Sequence, residues 1–264
     1  MLISLRNYSN YSICESNIKI EDLVDYATKN KFNAIGLTDY KLLSGSIEFS
    51  IKCQKAGIQP IIGIDVDYKS SFDHLTRVTL LSKSEEGFKN VNLLSTEINT
   101  NNNFLFDINN IKDFAKGNIL ILGGLYSYFH NISVNQKNLN KILDEIKNLK
   151  EIFKNDLYFE YDSHLNNTLL KEVSLKLEIP LFHSFFSFYK SKNDFDAMQI
   201  LHCVKNGEYL QNSSFDISNH YSLDRSLDDF ENSLIINSQL IAQKINFLIK
   251  EKPISLPNFS KGLS

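Results

Sequence analysis

Tryptophan is missing from this 264-residue chain, and cysteine occurs three times, at Cys14, Cys53 and Cys203. Three thiols so far apart, with no C-x-x-C pair, exclude a disulfide framework and a thiolate zinc site, and they read as small buried or half-buried residues. No excess of positive charge exists either. The formal charge is -3, with lysines and acids interspersed, so no broad cationic surface is available to release counterions from a duplex, and strong autonomous DNA binding is not expected. The N-terminus lacks a basic stretch followed by an apolar one, and no apolar run approaches the roughly 18 residues of a membrane span. A cytoplasmic protein is expected. Neither G-x-G-x-x-G nor G-x-x-x-x-G-K follows the first strand candidate, which removes the defining feature of dinucleotide and P-loop sites. Without a G-x-S-x-G elbow, a serine hydrolase triad is unsupported too.

What is present is an ordinary globular balance, 42% hydrophobic and 22% charged, enough for a sizeable core. Short apolar runs alternate with amphipathic stretches, the pattern of strand-helix-strand units around a mainly parallel sheet. Strands are expected at residues 2–5, 34–37, 60–64, 78–81, 119–122, 157–161 and 180–182. Helices are expected at 20–30, at 46–56 with Gly57 as its stop, from Ser84 onward, through the stripe Leu139, Ile142, Leu143, Ile146, Leu149, Ile152 and Phe153, through Leu169 to Leu177, at 194–204, and at 226–248 with Ser226, Asp228, Asp229 and Glu231 at its start. Residues 99–115 read as an exposed loop leading to a short helix. Some seven strands separated by helices fit a closed or nearly closed barrel better than an open sheet.

Four strings point to one family. Ser4-Leu-Arg-Asn-Tyr-Ser-Asn-Tyr-Ser12, Ala34-Ile-Gly-Leu-Thr-Asp-Tyr40, Ala56-Gly-Ile-Gln-Pro-Ile-Ile-Gly63 and Leu80-Leu-Ser-Lys-Ser-Glu-Glu-Gly-Phe-Lys-Asn90 resemble, in order and spacing, the N-terminal PHP domain of bacterial DNA polymerase III alpha subunits. The resemblance continues through Ile179-Pro-Leu181, residues 194–207 and Leu256-Pro-Asn-Phe259. It implies an α/β fold, a PHP-type distorted (β/α)7 barrel over residues 1–250, with residues 251–264 leading toward a polymerase palm that this chain does not contain. DNA-directed DNA polymerase activity, a nucleotidyl transfer in chromosomal replication, belongs to that whole parent and is not expected of this chain alone.

Members of the family that keep their metals use H-x-H, a following carboxylate, T-D-H, a glutamate after the third strand, a histidine before the fourth, a cysteine and a late D-x-H. Imidazoles and carboxylates converging at strand ends can hold divalent ions that activate water against a phosphoester. Laid on this sequence, these positions are Arg6 and Tyr8, then Glu15, Asp39 with Tyr40, Asp65, Arg77, Leu125, and Phe186 with Phe188. No family imidazole remains, and Glu15, Asp39 and Asp65 alone would at most hold a hard cation such as Mg²⁺. The resemblance therefore implies a degenerate metal site with no catalytic residue, no metal and no cofactor.

The expected function is that of a structural and interaction module bracing the remainder of the polymerase alpha subunit and, by resemblance, contacting the proofreading exonuclease subunit. The alternative is a PHP-type metal-dependent phosphoesterase. Acids left buried without their ions need another counter-charge. Arg6 or Arg77 is expected to reach Asp39 or Asp65, the opposing possibility being that both arginines face solvent.

Among the remaining features, Asp65-Val-Asp67 places two acids on one strand face, read as a pocket acid and a solvated neighbour. Asp194 and Asp196 are read as serving a helix start. Phe182, Phe185, Phe186, Phe188 and Tyr189 are read as core and pocket filling rather than a base-stacking platform. His74, His130, His164, His183, His202 and His220 share no metal-binding spacing and read as separate surface or core residues.

Overall fold

Side chains of every second residue along the strands build an inner wall in two layers, apolar below and charged above. In the computed structural model, which describes residues 3–130, 136–212, 220–225 and 232–249, the wall is one curled six-stranded sheet. Its strands, in both chain and spatial order, are β1 (Ala34–Leu37), β2 (Gln59–Lys69), β3 (Leu75–Ser82), β4 (Asn118–Gly123), β5 (Leu157–Tyr161) and β6 (Leu181–His183). Around it lie α1 (Ile20–Lys29), α2 (Ser46–Lys55), α3 (Glu85–Thr100), α4 (Gln136–Phe153), α5 (Thr168–Leu177), α6 (Phe195–Asn206) and α7 (Asn232–Lys244).

The N-terminal segment takes the place of a seventh strand through single bridges, Ser4 to Ile35 of β1 and Asn7 to Ser187 beyond β6. Backbone hydrogen bonds Gly36 N–H to Ser4 O at 2.7 Å and Tyr8 N–H to Ser187 O at 3.0 Å carry the same closure. The result is a distorted α/β barrel.

Its distortion sits at β3, which runs antiparallel to both β2 and β4. Here the expected strand-helix-strand plan fails, because β2 runs on to Lys69 and only residues 70–74 separate it from β3, too few for a helical crossover. A second difference concerns residues 99–115. The expected short helix is present as a single turn at Ile111–Phe114, but the segment is not all exposed: Phe106, Ile111 and Phe114 enter the main core, since apolar side chains in a weakly periodic stretch still find the sheet.

Local signals explain the helices. Ser84 caps α3 by accepting from Gly87 N–H at 3.2 Å, and Asp194 closes a capping box with Ser191 ahead of α6. The stripe on α4 buries Ile142, Ile146 and Leu149 completely. α7 ends at Lys244, four residues short of the expected 248, and its expected start at Ser226, Asp228, Asp229 and Glu231 lies outside the described residues, as does segment 251–264. Among the described residues, no helix is long and apolar enough to cross a membrane.

In the lower layer Ile61, Leu81, Ile119, Ile121, Tyr158 and Phe182 pack with Leu5 and Ala34, and Ile241 and Ala242 of α7 close the bottom together with Ile245 just beyond it. The upper layer opens at the other end, where the parallel strands finish. That end carries the candidate site.

Candidate functional site at the barrel mouth

The strand period of two carries the apolar row of β2 from Ile61 through Gly63 to Asp65 and Asp67. Register then pairs Asp65 with Thr79 and Asp67 with Arg77 across the β2–β3 ladder, and Gly123 with Glu160 across β4–β5. Asp65 is the hub. Its Oδ1 accepts from Thr79 Oγ1 at 2.7 Å, while its Oδ2 accepts from Arg6 Nη2 at 2.9 Å and from the Tyr8 hydroxyl. The other terminal nitrogen of Arg6 pairs with Glu160 Oε2, and Glu160 Oε1 accepts from Ser184 Oγ at 2.7 Å. Asp65 and Glu160 are fully buried and Arg6 is 3% exposed. Burial pushes the Glu160 carboxyl up, against the pull of Arg6. It also raises the Tyr8 phenol, which the neighbouring Asp65 charge raises further.

A second ring covers the hub. Arg77 lies between two tyrosines, its guanidinium carbon 3.8 Å from the Tyr40 ring centre and 4.0 Å from that of Tyr126. Its Nη2 donates to Glu15 Oε1 at 2.7 Å, its Nη1 to the Tyr8 hydroxyl at 3.3 Å, and its Nε stands 3.6 Å from Asp67. Lys205 of α6 also reaches Glu15 Oε1, at 2.6 Å. Burial raises the Glu15 carboxyl, but Arg77 and Lys205 outweigh it and hold Glu15 below its ordinary value. Asp67 is likewise held low, its burial outweighed by Lys41 at 2.6 Å and by the Tyr40 hydroxyl at 2.6 Å. Asp67 is thus paired, not the solvated neighbour expected.

Asp39 stands apart. Its oxygens accept from Ser9 N–H at 2.6 Å, Ser9 Oγ at 2.7 Å and Ser12 Oγ at 2.6 Å, and among the described residues no cation pairs with it. Burial pushes this carboxyl up, and the serine bonds draw it only partly back.

Aromatic and aliphatic side chains fill the remaining wall. Phe186 meets Tyr8 edge-on at 4.8 Å and lies 4.9 Å from the Arg6 guanidinium, Phe188 packs on Phe186 at 5.7 Å, and Leu125 sits against the same cluster. The structure therefore gathers Arg6, Tyr8, Glu15, Tyr40, Asp65, Arg77, Leu125, Phe186 and Phe188 at one mouth, with Asp39 bordering it through Ser12, whose Oγ also accepts from Tyr40 N–H at 2.9 Å. Neither arginine faces solvent: Arg6 reaches Asp65 as expected, while Arg77 goes to Glu15 and Asp67 and not to Asp39.

Sequence reasoning missed Glu160, Tyr126, Lys41 and Lys205. Only the register of β4 and β5 could have revealed Glu160. Reading the histidines separately also missed a pairing, since the His164 and His220 rings stack at 3.9 Å, 6° from parallel. His130 places its ring nitrogens beside the backbone oxygens of Gly124 and Asn166, at 2.7 and 3.0 Å.

A water-activating metal cluster of the kind that metal-retaining PHP domains hold does not fit this donor set. Guanidinium groups occupy the space between the carboxylates and repel a cation, and the neighbouring positions hold phenol, phenyl and aliphatic groups in place of imidazole. Among the described residues, no group of three or more His, Cys, Asp or Glu is disposed to hold a metal ion.

A family model for the PHP domain matches residues 4–164. The DNA polymerase III subunit alpha of Buchnera aphidicola subsp. Acyrthosiphon pisum is 30% identical over 98% of this chain and 24% of its own length, and that of Rickettsia conorii is 28% identical over 98% of this chain and 23% of its own. This chain thus spans about a quarter of the length of the curated relatives it matches. Among solved structures, an amidohydrolase from Chromobacterium violaceum superposes with a TM-score of 0.50 at 8% identity, covering 76% of this chain and 97% of the other, a likeness of fold alone. With more than half its residues under the family model and its buried mouth at the strand ends of a distorted barrel, the chain belongs to the PHP domain family and matches the PHP region of DNA polymerase III alpha subunits.

Proposed function

We propose that this chain is the PHP portion of a DNA polymerase III alpha subunit and serves chromosomal replication as a structural and protein-interaction module, its barrel mouth performing no catalysis. One observation carries the reading: the acids of the mouth are engaged by guanidinium groups, Arg6 at Asp65 and Glu160 and Arg77 at Glu15, where a catalytic metal ion would need them as ligands. Positions Arg6, Tyr8, Glu15, Asp39, Tyr40, Asp65, Arg77, Leu125, Phe186 and Phe188 are then the remains of a metal site. Three carboxylates persist there among groups that bind no metal.

The partners that follow are the remainder of the alpha subunit and, by family resemblance, the proofreading exonuclease subunit, in the cytoplasm. The interspersed charge favours such protein contacts over autonomous DNA binding. Metal quantification and phosphoesterase assays with added Zn²⁺ or Mn²⁺ test the reading. Substoichiometric metal and no turnover are expected; a stoichiometric Zn²⁺, Mn²⁺ or Fe ion together with phosphoester hydrolysis would establish the competing phosphoesterase.

A further inference from the structure

Asp65 on β2 and Glu160 on β5 face each other across the barrel interior with no solvent exposure. Two carboxylates so placed repel, and each loses its hydration, unless a cation lies between them. The chain supplies that cation from a third segment: Arg6 directs Nη2 to Asp65 at 2.9 Å and Nη1 to Glu160. A planar guanidinium can bond two acids in different directions at once, which a lysine ammonium does with less fixed geometry. Neutral donors take further lone pairs, Thr79 and Tyr8 on Asp65 and Ser184 on Glu160.

The backbone is shaped around the fork. Gly124, at φ +69°, passes so close that an added Cβ would stand 2.1 Å from Glu160 Oε2 and 2.7 Å from Arg6 Nη1. A residue with a side chain there would meet both charged groups and a strained backbone.

We infer that Arg6 is a built-in counter-cation: its guanidinium bridges Asp65 and Glu160 and pins the N-terminal segment to two walls of the barrel, in the role a bound divalent ion would otherwise play. The inference rests on the proposed reading that the mouth holds no such ion. Its energetic content is separate, because it concerns stability and not turnover.

Melting of the full chain and its variants tests it. Arg6→Met leaves both acids without their cation and is expected to melt about 10 °C lower. Arg6→Met/Glu160→Gln removes one of the two stranded charges and is expected to recover at least half of that loss. Gly124→Ala is expected to resemble Arg6→Met. If Arg6→Met does not fold, the double variant decides: its folding supports the bridge. A double variant that melts no higher than Arg6→Met, or that also fails to fold, overturns the inference, as does an Arg6→Met protein that melts with the parent. Such results leave the non-catalytic reading standing, whereas stoichiometric metal with turnover in the parent removes both.

Discussion

At the scale of single residues, charge in the mouth is nearly balanced. Arg6, Lys41, Arg77 and Lys205 face Asp65, Glu160, Asp67 and Glu15 in ion pairs, and Asp39 is the acid left over. Burial raises its carboxyl, so the folded protein holds this proton more tightly than the unfolded chain does. Between the two values the native state binds more protons, and the Asp39 contribution to stability falls as pH rises through that interval. Glu160 is shifted in the same direction, while Glu15 and Asp67 are shifted the opposite way, so the parent profile mixes both signs. Asp39→Asn isolates one of them. Its unfolding free energy relative to the parent is expected to improve from about pH 4 to about pH 7. Urea unfolding of both proteins at the two pH values measures this, and a constant or falling difference would mean that Asp39 ionises in the native state at least as readily as it does in water.

At the scale of elements, closure depends on how near the N-terminal segment lies to β1. Gly36 donates to Ser4 O and accepts from Asn7 Nδ2 at 2.8 Å, and a Cβ built on it would stand 2.0 Å from Leu5 O. The obstacle is backbone, which cannot rotate away. Gly36→Ala is therefore expected to lose about 3 kcal/mol, the upper end of overpacking in a dense interior. Urea midpoints at constant m-value would report it, and a loss below about 0.5 kcal/mol would show that the segment slides without penalty. The same closure brings Arg6 and Tyr8 over Asp65, so one tight backbone contact positions both the seventh wall and the site.

At the scale of the whole molecule, an apolar lower layer plugged at the C-terminal end of α7 and an upper layer whose acids meet the chain's own arginines support the proposed reading that the fold needs no metal. Small domains held by structural metals unfold when the ion is removed. Here millimolar EDTA is expected to leave the melting temperature unchanged. A drop in EDTA reversed by Zn²⁺ or Mn²⁺ would show that an ion contributes to folding.

Much of this architecture was legible in the residues alone. The stripe on α4, the Ser84 cap and the period-two apolar runs depend on neighbours a few positions away, so sequence determines them. Family resemblance added the ordering of Arg6, Tyr8, Asp39, Asp65 and Arg77, positions at which this sequence has no histidine. Tertiary structure alone decided the antiparallel turn of β3, the seating of Phe106 in the core, and the identity of each ion pair. Glu160 stands 154 positions from Arg6, and a pairing over that separation follows from sheet register and curl, which no local pattern encodes. Composition could say that buried acids need cations; only the closed barrel determined which cation met which acid.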